Sequence, residues 1–169
     1  GLRGHVRVQV DGQLKTGRDI VLMALLGAEE YGFGTAALIV LGCVMMRKCN
    51  LNTCPLGVTS QDPELRKHFI GKSEYLVNYF LFLAQEVREY LAQMGFKKLE
   101  DIVGHTELIV KKEATDDKTA TLDFTRLLNK EQNSCSLYHT ISQKYDLDNV
   151  LDQQIIRASQ KAIDGKDEV

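Results

Sequence analysis

HVRVQVDGQLKTGRDIVLMALLGAEEYGFGTAALIVLGCVMMR, residues 5–47, decides the fold. Residues 5–10 alternate and are rich in valine, which predicts a strand with Val6, Val8 and Val10 on one face. Asp11-Gly12-Gln13 breaks it and Thr16-Gly17 continues as a loop. From Arg18 to Leu26 a helix is expected: Ile20, Val21, Ala24 and Leu25 share one face, and Gly27 stands where a C-terminal stop belongs. Glu30 to Phe33 reads as the next strand, Gly34-Thr35 as a turn, and the run from Ala36 to about Arg47 as a second helix. Strand, glycine turn and helix, twice over, make two βα units and imply a parallel sheet with helical crossovers. Two strands neither close a barrel nor bury both faces of a sheet, so the pattern points to a piece of a larger α/β fold.

Downstream the chain turns helical. Asp62-Pro63-Glu64 opens a short helix, with Asp62 as N-cap and Pro63 at the first helical position. Ser73 to Met94 carries an apolar stripe of Leu76, Tyr79, Phe80, Leu83, Val87, Tyr90, Leu91 and Met94, with Ser73 placed to cap it and Gly95 to end it. Leu99 to Val103 predicts a further turn or two. Lys111 to Lys118 is charged and unpatterned, as a linker is. Short helical stretches are expected near Tyr138 to Tyr145 and from Asn149 to Ile163, with a frayed end from Gly165 to Val169.

The charge balance excludes several classes of function. A net charge of −2 gives no basic surplus for nucleic acid or an anionic membrane. The longest apolar stretch, Ala36 to Met46, is too short to span a bilayer, and there is no signal-peptide pattern. No Ser/His/Asp arrangement and no thiol nucleophile with an adjacent base is visible.

Chemistry concentrates in two places. The glycine turns DGQLKTG and YGFGT each follow a predicted strand and precede a helix. In β/α barrels that end of the sheet holds ligands, and the last two βα loops often grip a phosphate through backbone N–H groups. Gly12, Gly17, Gly32 and Gly34 serve equally well as plain turn residues. The second place is Cys43, Cys49 and Cys54, spaced C-x5-C-x4-C-P within twelve residues. Three thiolates in one short loop suit an iron–sulfur cluster better than a closed four-ligand zinc site, which would need Cys135 or a histidine as fourth ligand and lacks a C-x2-C knuckle. Val44, Met45 and Met46 would supply an apolar side, Arg47 and Lys48 would offset cluster charge, and Asn50, Asn52 and Thr53 would bend the backbone and offer N–H groups to sulfur. Three buried structural cysteines are the plainer alternative, and a thiol redox switch a third. His5, His68, His105 and His139 are scattered without metal spacing. Cys135 reads as a bystander.

These residues resemble a known family. From GLRGHVRVQVDGQLKTGRDI through GFGT to C-x5-C-x4-C-P and LGVTSQDPELRKHF, the chain is similar to the synthase domain of the glutamate synthase large subunit, closely so over residues 1–110. The resemblance implies an α/β fold: the C-terminal βα units of a (β/α)8 TIM barrel followed by mostly helical segments. It assigns residues 1–60 to the last βα units of the FMN-binding barrel plus the Fe–S loop, 61–110 to a helical extension, and 111–169 to a connector towards a C-terminal β-helix domain. It further implies FMN contacts at Asp11, Gly12 and Gln13 and at Gly32, Phe33, Gly34 and Thr35, and a 3Fe-4S cluster on Cys43, Cys49 and Cys54. Many family members carry glycine where Gln13 stands. Lys15 and Arg18 are further phosphate partners to weigh against solvated helix-start charges. The implied reaction is reductive transfer of glutamine-derived ammonia to 2-oxoglutarate, giving L-glutamate in the cytoplasm. The implied partners are the remaining domains of the large subunit and either a small NADPH-oxidising subunit or ferredoxin. No catalytic residue is assigned here, and the segment alone is expected to be inactive. The rival reading is a non-catalytic metal or Fe–S binding module.

Overall fold

The structure, a computed structural model, describes residues 2–130 and 136–165. Its regular elements are helices and one two-stranded parallel sheet, β1 (Gln9–Asp11) and β2 (Glu30–Gly32), in register Gln9 to Glu30, Val10 to Tyr31 and Asp11 to Gly32. Between them runs α1 (Gly17–Leu25), and after β2 comes α2 (Thr35–Val40). The two βα units stand as the alternating pattern predicts. β1 is shorter than the expected 5–10: residues Leu2–His5 form a 3-10 turn, only Gln9–Asp11 have ladder partners, and Val6 and Val8 are exposed.

A reciprocal capping box starts α1, Thr16 accepting from the Asp19 N–H while Asp19 accepts from Thr16. Its buried face is Ile20, Val21, Ala24 and Leu25. Three helices end alike. Gly27, Gly42 and Gly95 take positive φ, and the residue after each donates back five positions, Ala28 to Met23, Cys43 to Leu38 and Phe96 to Leu91. Gly42 is the stop that periodicity misses: α2 ends at Val40 rather than near Arg47, because only a left-handed residue closes the helix this way and the apolar run beyond it masks the break.

α3 (Pro63–Arg66) is capped by Asp62, which accepts from Glu64 and Leu65. α4 (Ser73–Met94) is the long helix; Lys72, not Ser73, is its N-cap, and no side chain caps it. Leu83, Val87 and Leu91 pack on the α1 face and on Ile102 to make the core, with Tyr31, Phe33, Tyr79, Tyr90 and Met94 around it. Gly17 lets the helices close: a Cβ there would stand 2.8 Å from both Glu86 Cβ and the Val87 nitrogen.

Beyond α4 lie 3-10 turns at Glu100–Ile102 and Thr106–Leu108, α5 (Asp117–Ala120), α6 (Leu151–Ala158) and α7 (Gln160–Ile163). The stretch Tyr138 to Tyr145, expected to be helical, has no regular secondary structure; Thr140 and Ile141 donate to Gly4 and Gln143 to His5, so it straps the N-terminus. The helix expected over Asn149–Ile163 divides at Ser159, where no buried face holds it straight. The expectations for Cys135 and for residues 166–169 lie outside the described residues. Among the described residues no helix is long and apolar enough to cross a membrane.

Candidate functional site

Parallel pairing sends both glycine turns off the same edge of the sheet. At that edge Asp11 faces Gly32, and a Cβ on Gly32 would lie 2.8 Å from Asp11 Cγ. The Asp11 side chain thus occupies the space that the glycine leaves. Gly12 (φ 96°) and Gln13 (φ 61°) follow in the left-handed region, and the positions where Gly12 and Gly34 would carry a Cβ are open. Gln13 therefore holds a conformation that favours glycine.

The two helix starts beside these loops differ. At α1 the donors are occupied: Asp19 accepts from the Lys15 and Thr16 N–H groups at 2.9 Å, and Glu86 accepts from Gly17 at 2.7 Å. Burial alone would raise the Asp19 carboxyl; the Lys15 and Thr16 hydrogen bonds outweigh it and hold the group below its ordinary value. The N–H groups at the start of α1 are therefore already taken and are not free for a phosphate. At α2 the N-cap is Gly34 and no side chain bonds to the helix start. The backbone available to an anion is thus that of Gly12, Gln13, Gly34 and Thr35. Arg18 lies on the flank of α1 in a pocket with Tyr90 and Leu108, and the Lys15 carbonyl is taken by the Tyr79 hydroxyl. The Phe33 ring turns to α4, edge-on to Phe80 with centroids 5.2 Å apart, which leaves its backbone rather than its ring for a ligand.

The cysteines sit on a separate lobe, residues 42–70. Its two ends meet. A Cβ on Gly42 would touch Ile70, and one on Gly71 would stand 2.8 Å from the Leu41 carbonyl oxygen. Inside, Asn52 in the left-handed region (φ 55°) accepts from the Gln61 N–H at 2.6 Å and from Ser60. Gly57 lies hard against α3, and His68 Nδ1 is 3.1 Å from the Pro55 carbonyl. The helix-ending turn of α2 delivers Cys43, and Cys49 opens the 3-10 turn Cys49–Leu51. Met45, Arg47 and Asn52, none of them glycine, all hold positive φ, a concentration of backbone strain typical of ligand loops.

All three thiols are free and line one small cavity of about 30 Å³, walled by Val44, Met46, Pro55, Leu56 and Val58 and edged by Arg47 and Lys48. The Met45 N–H is 3.4 Å from Cys43 Sγ. The Leu56 N–H, joined by Val58 and Thr59, holds the Cys54 thiol below its ordinary value against desolvation. The donors that reach sulfur thus come mainly from after Cys54, which spacing alone did not reveal. Among the described residues no three His, Cys, Asp or Glu side chains converge on a single ion. A mononuclear zinc site needs that convergence. A cluster gives each thiolate its own iron, so three sulfurs around a cavity, met by N–H groups and cations, fit its chemistry.

Comparison with known proteins places the chain in a family. Residues 1–97 match the family described as the conserved region in glutamate synthase. The chain is 46% identical over 170 residues to the glutamate synthase (NADPH) large chain of Bacillus subtilis strain 168, covering 96% of this chain and 11% of that one. It is 45% identical to the glutamate synthase (NADH) of Schizosaccharomyces pombe, over 92% of this chain and 8% of that protein. Identity to the ferredoxin-dependent glutamate synthase of Pyropia yezoensis is 47%, over 83% and 9%. The chain spans about a tenth of the length of the curated relatives it matches.

Proposed function

The chain belongs to the glutamate synthase family, and from that premise we propose that it is the part of the large chain that grips the FMN phosphate and carries the 3Fe-4S cluster. β1–α1 and β2–α2 are then the last βα units of a (β/α)8 barrel. Residues 1–60 hold both cofactor sites, 61–110 extend the synthase domain, and 111–169 lead towards a β-helix domain.

One observation carries this reading. The parallel register that sets Asp11 beside Gly32 brings two glycine turns to one edge, the second of them opening a helix with no side-chain cap, and the cysteine lobe begins one six-residue helix beyond them. The N–H groups of Gly12, Gln13, Gly34 and Thr35 bind the phosphate, and Asp11 bridges the two loops from the sheet edge. Cys43, Cys49 and Cys54 hold the cluster, with Arg47 and Lys48 offsetting its negative charge. When bound, the two cofactors supply electrons and hydride for reductive addition of glutamine-derived ammonia to 2-oxoglutarate. A separate NAD(P)H-oxidising subunit or ferredoxin is the electron source in this reading. Most groups that hold 2-oxoglutarate lie on other strands, so the segment by itself forms no glutamate.

Iron, acid-labile sulfide and flavin analysis of the anaerobically purified full-length chain that carries this segment tests the reading. About three irons and one FMN per chain are expected. Iron without flavin would instead establish the rival, a cluster module with no flavin role. Zinc in place of iron would overturn both cluster readings.

A further inference from the structure

α4 touches both candidate phosphate loops, although it lies beyond the cysteine lobe in sequence. The Tyr79 hydroxyl donates to the Lys15 carbonyl at 2.8 Å, across 64 residues. Glu86 accepts from the Gly17 N–H at 2.7 Å, across 69. Phe80 takes the Phe33 ring edge-on. On a helix, positions 79, 83, 86 and 87 fall on one face, so both polar grips flank the Leu83–Val87 core contact. Burial, followed by the Asp19 and Glu86 charges, pushes the Tyr79 phenol up.

These contacts do more than pack a helix. Residues 11–17 are held by a three-residue strand at one end and by the Asp19 capping box at the other, while Gln13 between them holds an unfavourable φ. A loop that binds phosphate through its backbone needs its N–H groups aimed before the ligand arrives. Tyr79 and Glu86 tie the far end of that loop, while Phe80 ties the other loop at Phe33. We propose that Tyr79, Phe80 and Glu86 are positioning residues that set the two phosphate loops at their binding separation, with Glu86 as the main anchor. They act through Lys15, Gly17 and Phe33 and make no contact with the cofactor. The inference rests on the FMN reading above.

The test measures FMN dissociation by flavin fluorescence in the flavin-depleted full-length chain, beside iron content and melting temperature. Glu86→Ala is expected to weaken FMN about tenfold, the scale of one lost charge-assisted hydrogen bond. Glu86→Gln keeps an oxygen that can accept the Gly17 N–H and should return affinity to within about threefold of wild type. Tyr79→Phe should weaken FMN about threefold, and iron content should hold throughout. If Glu86→Gln binds FMN as poorly as Glu86→Ala, or if Glu86→Ala and Tyr79→Phe both bind it as wild type does, the positioning role is overturned. Should Glu86→Ala not fold, Tyr79→Phe decides alone: unchanged affinity overturns the role and the expected loss supports it. A wild-type chain that takes up iron but no FMN overturns the flavin reading and this inference with it.

Discussion

Asp11 and Gly32, paired across the parallel strands, share a space that only one side chain can fill: a Cβ on Gly32 would lie 2.8 Å from Asp11 Cγ and 3.1 Å from its Oδ2. Gly32→Ala must push the carboxylate aside at the edge where both glycine loops leave the sheet. The expected cost is about 1–3 kcal/mol of stability, the usual range for overpacking. FMN affinity should fall with it. Denaturant unfolding and flavin titration of the same variant check both.

The cysteine assignment makes a sharper demand. Cys43→Ser, Cys49→Ser and Cys54→Ser should each lose the cluster, read as iron and sulfide content and the cluster's electron paramagnetic resonance signal. Cys135→Ser, as control, should retain it. Full iron content in any of the first three would remove that residue from the ligand set.

Gly57 tests the lobe as a structure. It has φ 68°, and a Cβ there would collide with the Leu65 carbonyl and Arg66 Cα. Gly57→Ala should stop residues 42–70 from closing over α3 and cut iron content at least tenfold. The core of α1 and α4 should remain, seen as unchanged far-ultraviolet circular dichroism.

At Gln13 the prediction has the opposite sign. Its φ of 61° costs a side-chain residue about 1 kcal/mol or more, while glycine's extra freedom in the unfolded chain returns part of that. Gln13→Gly should therefore stabilise by about 0.5 kcal/mol and leave FMN binding intact. A clear loss of affinity would show that the glutamine side chain, rather than the backbone, serves the site.

Glu29 governs an acid limb. It accepts from the His139 N–H at 2.7 Å and the Val8 N–H at 3.2 Å, and pairs with Arg3 at 2.7 Å. Burial raises its carboxyl, but the His139, Arg3 and Val8 hydrogen bonds together outweigh burial, so the folded value sits below the ordinary 4.5. A depressed carboxyl stabilises the fold above its unfolded value, and that stability is lost as pH falls through the folded one. Wild type should thus lose stability progressively as pH drops below 4.5, whereas Glu29→Gln should show a flatter limb and be about 1–2 kcal/mol less stable at neutral pH. Guanidinium unfolding across that range measures the slope.

Much of this was legible in the sequence because local rules sufficed. The α1 face, the Asp62 cap and the stripe that buries Leu83, Val87 and Leu91 follow from period and capping chemistry. The C-x5-C-x4-C spacing grouped Cys43, Cys49 and Cys54, and the three residues line one cavity. What escaped was non-local or hidden by composition. Gly42 sits in an apolar run, so α2 read as longer than it is. The strap at Thr140 and Ile141 depends on Gly4, more than a hundred residues away, and no period reports that. Glu86 looks like an ordinary exposed helix charge until Gly17 is seen against it. Likewise the Leu56, Val58 and Thr59 donors to Cys54 follow the last cysteine and carry no residue-type signature, since backbone N–H groups belong to every residue but proline.

The meeting of Leu41 with Gly71 has a consequence for how such a protein is assembled over evolutionary time. A segment whose entry and exit stand side by side can be inserted, lengthened or deleted between two helices without respacing either of them. Residues 42–70 therefore have the form of a cassette: a cysteine-bearing segment that can be gained or lost between α2 and α4 while the paired strands before it stay as they are.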